Sequence, residues 1–455
     1  MKICVIGTGY VGLVTGVCLA DLGNEVICVD RDAEKIGGLW QGKLPIYEPG
    51  LEELVSKNVS EGRLTFSTDL IESVRPATVV FITVGTPPKP NGEPDLSGVE
   101  AVARSIGQGL DGYKVIINKS TVPIGSGDWV AMLVREGMGL EVPVHVHGHG
   151  QLQTGDASFD VVSNPEFLRE GTAIMDTFFP DRIVVGSNSE RALAVMQELY
   201  RPLVERTFLP EGERQRVPFI VTDLNSAEMI KYAANAFLAT KISFINEIAN
   251  ICERVGADIG KVAEGIGLDH RIGRSFLDAG LGWGGSCFPK DISALISIAT
   301  DYGYRGELLE AVKHVNERQR QLLLSKLQSH LKVLKGKTVC LLGLAFKPET
   351  DDIRDAPAIY LAEQILKLGG RVKGYDPVAA ENSKKAVPQL CLCPSAKEAI
   401  QDSDAVVICT EWEEFRLLDW KELKSLVRNP LLIDGRNCFD SQVTEAGWTY
   451  VGVGR

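Results

Sequence analysis

The residue with the clearest chemical potential is Cys287, which follows a run of glycines in the segment GWGGSCFPKD. The residues after it predict a helix, so Cys287 is expected near the first helical turn. A helix N-terminus and the nearby Lys290 favour the thiolate, the form of cysteine that attacks a carbonyl carbon. Asp291 lies one helical turn later and could share that face and position a water molecule. We expect a flexible glycine loop that carries a nucleophilic thiol; a structural cysteine is the alternative.

A second set of polar residues could act on a substrate oxygen. Lys231 and Asn235 lie one turn apart in Leu224–Val255, a stretch without glycine or proline that predicts a long helix. An amine and an amide on one face could polarise an oxygen and stabilise its negative charge. Glu166, in NPEFLREG, and Thr121, in KSTVP, follow predicted strands, where α/β proteins bind ligands. The structural alternatives are a solvated helix face, turns and caps.

The first residues of the chain contain a dinucleotide-binding pattern. A predicted strand leads into the turn GTGYVG, whose candidate ligand-binding residues are Gly7, Gly9, Tyr10, Val11 and Gly12. The backbone of such a turn can bring N–H groups onto a pyrophosphate at a helix N-terminus. Asp30 ends the next predicted strand, where a carboxylate binds the adenosine ribose and repels a 2′-phosphate. This pattern predicts NAD rather than NADP, although Arg31 and Lys35 could weaken the preference. A glycine turn without a ligand is the alternative.

Length and composition limit the class of protein. The chain has 455 residues, of which 44% are hydrophobic and 24% charged, so two or three globular domains are expected. The formal net charge of −12 disfavours binding to nucleic acids or anionic membranes. Ten cysteines are too few for a disulfide scaffold, and we find neither a signal peptide nor an apolar run of about 18 residues. We therefore expect a cytoplasmic protein without a membrane or nucleic-acid partner.

The alternation of apolar runs and helical stretches predicts an α/β fold. Strands are expected at Lys2–Ile6, Glu25–Val29, 78–84, 113–118, 337–342, Arg371–Tyr375, 405–409 and 430–434. Asp376 ends the second strand of the later set, as Asp30 does in the earlier one. The expected fold is therefore two Rossmann-like doubly wound domains joined by a long central helix. A further helical region is expected at 292–334, and a surface insertion at 142–158.

The chain resembles the UDP-glucose/GDP-mannose dehydrogenase family over nearly its whole length. The segments that carry the resemblance are, in order, GTGYVG, TVGTP, KSTVP, NPEFLREG, KYAANAF, GWGGSCFPKD, GLAFKPETDDIRDAP and IDGRN. It implies that two hydride transfers to two NAD oxidise UDP-glucose to UDP-glucuronate, which supplies polysaccharide or glycan synthesis. It also implies an NAD-binding domain at 1–215, a central helical dimerisation domain at 216–330 and a UDP-sugar-binding domain at 331–455. A homodimer or a higher homo-oligomer is expected.

The resemblance also assigns roles to individual residues. The sulfur of Cys287 would hold the intermediate aldehyde as a thiohemiacetal and then as a thioester. The other expected catalytic residues are Lys231 and Asn235, which would stabilise oxyanions, and Asp291, Glu166 and Thr121, which would position water. The residues expected on NAD, besides the glycine turn and Asp30, are Lys35, Thr86, Thr121, Glu170 and Arg354. Those expected on the nucleotide sugar are Glu166, Phe167, Leu168, Glu170, Lys231, Asn235, Arg271, Gly284, Phe346, Lys347 and Arg436. In a dimer, the segment around Arg271 would reach into the partner's sugar site.

Other functions remain open on the sequence. A related enzyme could act on GDP-mannose or on a UDP-N-acetylhexosamine. A noncatalytic nucleotide-sugar sensor would not need Cys287, Lys231 and Asp291, and a two-electron β-hydroxyacid dehydrogenase has no use for the thiol. In the insertion, His145, His147 and His149 alternate between glycines and valines, and we interpret them as part of a loop rather than as a metal site. No metal is expected.

Overall fold

The computed structural model describes residues 1–90, 92–140, 159–439 and 441–455. The expected surface insertion with its three histidines lies outside these residues. The chain divides into two compact units, Met1–Ala233 and Ala234–Arg455. No helix in the described part of the chain combines the length and apolar character that a membrane crossing needs.

The first unit is built on an eight-stranded sheet. Its strands are β1 (Lys2–Ile6), β2 (Glu25–Val29), β3 (Leu64–Ser67), β4 (Val79–Ile82), β5 (Lys114–Asn118), β6 (Phe159–Ser163), β7 (Ile183–Gly186) and β8 (Phe219–Thr222). Their order is β3-β2-β1-β4-β5-β6-β7-β8, and every neighbouring pair is parallel except β6 and β7. The order reverses between β1 and β4, and open α/β sheets bind ligands at such a reversal, beyond the carboxyl ends of the strands.

Helices cover both faces of this sheet. They are α1 (Tyr10–Asp21), α2 (Ala33–Trp40), α3 (Leu51–Ser60), α4 (Leu70–Val74), α5 (Ser97–Gln108), α6 (Ser126–Gly137), α7 (Ala173–Phe178) and α8 (Glu190–Val204), with a 3₁₀ turn at Glu211–Glu213. The side chains of β1 alternate between two buried clusters: Val5 belongs to the cluster that contains Leu13 of α1, and Ile6 to the cluster that contains Ile106 of α5. Burial on both faces explains the continuous apolar runs by which these strands were predicted.

The second unit contains a six-stranded parallel sheet. Its strands are β9 (Thr338–Leu342), β10 (Arg371–Tyr375), β11 (Cys391–Leu392), β12 (Ala405–Ile408), β13 (Leu431–Asp434) and β14 (Thr449–Val451), in the order β11-β10-β9-β12-β13-β14. The helices are α10 (Ile259–Gly267), α11 (Phe288–Asp301), α12 (Glu307–Leu331), α13 (Pro357–Lys367), α14 (Ala380–Ala386), α15 (Ala396–Ile400), α16 (Glu413–Arg416), α17 (Trp420–Leu423) and α18 (Ser441–Glu445), with a 3₁₀ turn at Lys424–Leu426.

The fold class and the long central helix are confirmed. Helix α9 (Leu224–Val255) has the predicted bounds; it begins in the first unit and ends in the second. The helical region predicted at 292–334 consists of two separate helices, α11 and α12. Gly303 adopts φ +73° between them, a backbone conformation that suits glycine and ends a helix. The bounds of the three domains expected from the sequence stay a prediction.

The second strand of each sheet ends in an aspartate, but the two carboxylates have different surroundings. Asp376, after β10, is 2% exposed. Its two oxygens accept hydrogen bonds from the backbone N–H groups of Leu344, Ala345, Val378 and Ala379 at 2.7–3.1 Å. An ionised carboxylate has about four acceptor sites, so Asp376 has none left for a ribose hydroxyl. Its role is to hold the turn after β9 against β10.

We predict that Asp376→Asn lowers the free energy of unfolding by about 1.5–3 kcal/mol, because an amide NH₂ would face backbone N–H donors in place of an acceptor. Urea denaturation measures this loss. The dissociation constant for NAD, measured by calorimetry on the folded variant, should stay that of the parent. Weaker NAD binding would show that Asp376 has a ligand-binding role.

Candidate active site

In the glycine turn after β1, a side chain at Gly7 or Gly12 would clash with neighbouring backbone atoms. Gly7 has φ +108°, and a Cβ added there would lie 2.9 Å from the carbonyl oxygen of Thr83. A Cβ on Gly12 would lie 1.9 Å from the carbonyl oxygen of Gly7. Gly9, in contrast, has no heavy atom within 4 Å of an added Cβ, so the space above it is open. Helix α1 begins directly after it, which leaves its first N–H groups to face that space, as a pyrophosphate requires.

Asp30, directly after β2, holds this turn. Its Oδ2 accepts hydrogen bonds from Thr8 N at 2.9 Å and Thr8 Oγ1 at 2.8 Å. Burial would raise the pKa of Asp30, but hydrogen bonds from Thr8 and Asp32 and the Lys35 ammonium, 4.0 Å away, hold it below its ordinary value. Asp30 is therefore a carboxylate at neutral pH. Arg31 is exposed, and Lys35 contacts the carboxylate that is expected to exclude a 2′-phosphate.

Tyr10 is anchored by a residue that the sequence analysis missed. Its hydroxyl donates a short hydrogen bond to the buried carboxylate of Glu48 and accepts one from Gly171 N at 2.7 Å. Glu48 also accepts from Gly171 N at 2.6 Å and from Ala173 N at 2.7 Å. These bonds hold the backbone that follows Glu170 beside the glycine turn. No motif around Glu48 marks it, because its function depends on a contact more than 120 residues away along the chain.

Thr86 and Thr121, both expected to bind ligands, are in direct contact. Thr86 Oγ1 donates a 2.8 Å hydrogen bond to the carbonyl oxygen of Thr121. Ser120 Oγ donates to the carbonyl oxygen of Val84 at 2.7 Å, so the loops after β4 and β5 are fixed to each other. Both loops lie at the carboxyl ends of neighbouring strands.

Lys231 and Glu166 form a buried ion pair. Lys231 Nζ lies 2.7 Å from Glu166 Oε1 and also donates to the Glu166 carbonyl oxygen at 2.7 Å. Leu168 N donates to Glu166 Oε2 at 2.6 Å. Burial would raise the pKa of Glu166, but Lys231, the Leu168 N–H group and Lys119 hold it below its ordinary value. The centre of the Phe167 ring lies 5.6 Å from the Lys231 amine and 3.7 Å from the Arg182 guanidinium, so these cationic groups also help to hold the segment 166–168.

Three further polar residues surround this ion pair, and the sequence analysis missed them. Asn118, Lys119 and Glu228 line, with Glu166 and Lys231, a cavity of about 20 Å³, which is about the space of one water molecule. Both polar side-chain atoms of Asn118 are buried there without a hydrogen-bond partner in the described structure. Burial lowers the pKa of Lys119 to about 8 and raises the pKa of Glu228 to about 7.

Glu228 also fixes the start of helix α6. Its carboxylate accepts hydrogen bonds from Gly125 N at 2.7 Å, Gly127 N at 3.0 Å and Ser163 Oγ at 3.0 Å. A carboxylate is favourable at a helix N-terminus, where the N–H groups lack partners within the helix. Glu228 thereby joins α9 to the loop that carries Thr121.

In the second unit, Cys287 is the N-cap residue of α11, as expected. Asp291 N donates to the Cys287 carbonyl oxygen at 2.9 Å, the bond of a first helical turn. Asp291 is 1% exposed; its carboxylate accepts from Asn235 Nδ2 at 2.5 Å and pairs with Lys290 Nζ at 2.5 Å. The structure therefore brings Asn235 and Asp291 together one turn from the thiol. A buried carboxylate with these partners can hold the proton of a water molecule or a sugar hydroxyl.

The expectation of a flexible glycine loop before Cys287 is wrong. The loop is buried, and a Cβ on any of its glycines would clash with a neighbour. The nearest atoms lie 2.7 Å away for Gly280, 2.4 Å for Gly282, 2.4 Å for Gly284 and 2.9 Å for Gly285. The glycines here permit close packing of backbones rather than motion. Cys287 is thus presented from a fixed position.

Several residues expected on the nucleotide sugar adjoin this loop. The Phe346 ring lies against Gly285, and Arg436 donates to the Phe346 carbonyl oxygen at 2.9 Å. Lys347 Nζ lies 5.7 Å from the centre of the Phe346 ring. Gly285 N donates to the carbonyl oxygen of Arg354 at 2.9 Å, so this arginine, expected on NAD, also supports the loop. The cationic groups of Lys347 and Arg436 suit a diphosphate.

Arg271 has a different setting. It lies in the turn after α10, and its side chain is 77% exposed and paired with Asp269 of the same turn at 2.5 Å. An exposed arginine on a short turn is available to a ligand of another chain. The roles of all these residues stay predictions.

The strand order, the glycine turn and Asp30 define an α/β protein that binds a dinucleotide. Residues 1–204 match the NAD binding domain of the UDP-glucose/GDP-mannose dehydrogenase family, residues 225–318 its central domain and residues 340–441 its UDP binding domain. The chain is 49% identical to the UDP-glucose 6-dehydrogenase TuaD of Bacillus subtilis, over all of this chain and 93% of that protein. It is 47% identical to a UDP-glucose 6-dehydrogenase of Rhizobium meliloti over the full length of both.

A solved structure has the same fold. The UDP-glucose dehydrogenase of Pyrobaculum islandicum aligns with a TM-score of 0.88 at 38% identity, over 99% of this chain and 97% of that chain. The chain therefore belongs to the UDP-glucose/GDP-mannose dehydrogenase family. It is an oxidoreductase with NAD as its cofactor, and the resemblance inferred from its motifs is confirmed.

We predict that Asp30→Asn weakens NAD binding about tenfold and raises the ratio of NADP to NAD affinity by about ten- to a hundredfold. The variant loses a charged acceptor for the ribose and the charge that repels a 2′-phosphate, whereas its amide oxygen can still accept from Thr8. Calorimetric titration with both cofactors measures the effect, and Asp376→Asn is the matched control. An unchanged ratio would contradict the role of Asp30.

Proposed function

We propose that this chain is an NAD-dependent UDP-glucose 6-dehydrogenase that converts UDP-glucose to UDP-glucuronate. Relatives that carry this name are 47–49% identical to it over its full length. The observation on which the proposal chiefly rests is the buried Asp291–Asn235 pair one helical turn from Cys287. A two-electron dehydrogenase has no use for such a thiol, and a nucleotide-sugar sensor needs neither the thiol nor the acid.

The proposed reaction passes through a covalent intermediate on Cys287. The C6 alcohol loses a hydride and a proton to become an aldehyde, and the thiolate adds to the carbonyl carbon to form a thiohemiacetal. Loss of a second hydride, together with the hydroxyl proton of the thiohemiacetal, gives a thioester, which water cleaves to the carboxylate and the free thiol. Bound NAD supplies the hydride acceptor in each oxidation. The covalent bond explains how the aldehyde would stay bound between the two oxidations.

The polar residues would act on charge that develops at C6. In this proposal Lys231 and Asn235 stabilise the oxyanions of the thiohemiacetal and of thioester hydrolysis. Asp291, with Glu166 and Thr121, positions the hydrolytic water. The Lys231–Glu166 pair supports this assignment because the bond from Glu166 holds the Lys231 amine in one position, as electrostatic stabilisation requires.

The remaining expected contacts follow the same division. We propose that Gly7, Gly9, Tyr10, Val11, Gly12, Asp30, Lys35, Thr86, Thr121, Glu170 and Arg354 bind NAD. We propose that Glu166, Phe167, Leu168, Glu170, Lys231, Asn235, Gly284, Phe346, Lys347 and Arg436 bind UDP-glucose, with Arg271 contributed by a partner subunit. GDP-mannose and UDP-N-acetylhexosamines are the competing substrates, and assays with each would distinguish them. A cytoplasmic location is also proposed.

We predict that each UDP-glucose yields two NADH and that an added carbonyl reagent traps no free aldehyde. Cys287→Ser should keep the affinities for NAD and UDP-glucose but slow turnover by about a thousandfold or more, because a hydroxyl is a far weaker nucleophile at neutral pH. NADH absorbance per mole of sugar measures the stoichiometry. One NADH per UDP-glucose, or parent turnover in the serine variant, would contradict the proposal.

We further propose that two chains associate through helix α9. Phe237, Phe244 and Ile251 recur at intervals of seven residues and are 65%, 50% and 49% exposed. Residues seven apart lie two turns apart on one face, so they form an apolar stripe. Exposed apolar surface of this kind is typical of a subunit interface.

We predict that Phe237→Asp combined with Phe244→Asp raises the dissociation constant of the dimer at least about a hundredfold, since two interface anchors become charged. Sedimentation measures the association state. Leu417→Glu is the matched control. Leu417 is also an exposed apolar residue, at 78%, but it lies directly after α16 and outside α9. A double variant that associates like the parent would exclude α9 as the interface.

A further inference from the structure

The loop before Cys287 is held by an asparagine to which no role has been assigned above. Asn316 of α12 is 2% exposed. Its Oδ1 accepts a hydrogen bond from Trp283 N at 2.8 Å, and its Nδ2 donates to the Trp283 carbonyl oxygen at 3.0 Å. One side-chain amide thus binds both polar backbone groups of a single residue. Such a two-point contact fixes the orientation of the backbone as well as its distance.

Two other side-chain amides hold the same loop at Gly280, three residues before Trp283. Gly280 N donates to Asn246 Oδ1 of α9 at 2.8 Å, and Gln319 Nε2 of α12 donates to the Gly280 carbonyl oxygen at 2.6 Å. The Trp283 indole N–H donates to Ser243 Oγ at 3.0 Å. Residues of two helices, α9 and α12, therefore hold the loop through direct hydrogen bonds to its polar groups.

Close packing makes the contact at Asn316 specific. Gly282 has φ +95°, and a Cβ added there would lie 2.4 Å from Asn316 Oδ1. Only three residues lie between Trp283 and Cys287, and two of them, Gly284 and Gly285, are packed against Asp355 and Phe346. A displacement of the Trp283 backbone would therefore also displace the thiol of Cys287.

We propose that Asn316 is a positioning residue that fixes Cys287 for attack on the intermediate aldehyde. This inference rests on the proposed function. It concerns the covalent step, because loss of a hydride from the alcohol needs no thiol. When the loop is displaced, the first oxidation continues, whereas capture of the aldehyde slows and the aldehyde can escape. A misplacement of about 1 Å at a reacting group can cost about a hundredfold in rate.

The test uses Asn316→Leu, which removes both hydrogen bonds at similar volume, and Asn316→Asp, which keeps the acceptor for Trp283 N but replaces the donor. In rapid mixing with UDP-glucose and NAD, we expect the first NADH to form at the parent rate per folded molecule. The second should form about a hundredfold more slowly. An added carbonyl reagent should trap aldehyde, and the ratio of NADH to sugar should fall from two toward one.

A matched control separates positioning from stability. Asn58 of the first unit is also a fully buried asparagine, with hydrogen bonds to Asp21 and Arg63. Asn58→Leu should lose stability in urea yet keep two NADH per sugar. Loss of folded protein lowers the rates of both oxidations equally and cannot change their ratio, so equal slowing of both in Asn316→Leu would overturn the proposal.

A second readout does not depend on turnover. Iodoacetamide alkylation of Cys287, located by peptide mass, should slow about tenfold at neutral pH in Asn316→Leu, because the thiol moves from the helix N-terminus that favours the thiolate. An unchanged alkylation rate would overturn the inference whatever the substrate is. One NADH per UDP-glucose in the parent would instead count against the proposed function.

Discussion

The buried ion pair between Lys231 and Glu166 is the interaction around which the first unit's polar edge is arranged. Two charges removed from water are tolerated only when they are paired and hydrogen-bonded, and breaking such a pair leaves an uncompensated charge that costs about 3–5 kcal/mol. Here Glu166 also receives the Leu168 N–H group, and Lys231 also donates to a backbone carbonyl oxygen. The pKa of Lys119, lowered to about 8, reflects the same burial and the repulsion from Lys231. The positions of these groups are therefore mutually dependent.

The second unit also contains a buried carboxylate that needs partners, and here an amide and an amine supply them. Asp291 is as deeply buried as any catalytic candidate, and Asn235 and Lys290 satisfy its carboxylate. Asn235 lies on α9, so the amide that holds Asp291 comes from outside the segment that carries the thiol. The position of Asp291 therefore depends on this helix as well as on its own helix α11.

Local sequence signals predicted the parts of the fold that depend on local properties. The strands buried on both faces, such as β1 and β9, are mostly continuous apolar runs, and α9 lacks any helix breaker, so their bounds were predicted closely. The strands β7 and β8 were not predicted, although β4, which is equally short, was. Their pairing is decided by the sheet beside them rather than by their own residues.

The candidate site shows the same limit. The glycine turn, Asp30 and Cys287 belong to motifs in which spacing itself carries the information. Glu48, Glu228 and Asn316 belong to none, since each acts through a contact with backbone groups far away in the chain. The glycines before Cys287 were misread for a related reason: glycine permits both motion and close approach, and only the neighbouring atoms decide between them.

The two sheets show how one topology can serve two ligands. Gly7 and Gly343 both follow the first strand with positive φ, and Asp30 and Asp376 both end the second. In the first unit, Asp30 accepts hydrogen bonds from Thr8 and from the Asp32 N–H group, and its side chain is 13% exposed. In the second, four backbone N–H groups saturate Asp376, so the same position contributes only to stability. Other groups in that unit must then bind its ligand. Lys347 follows β9 and Arg436 follows β13, and the positive charges of these side chains suit a diphosphate.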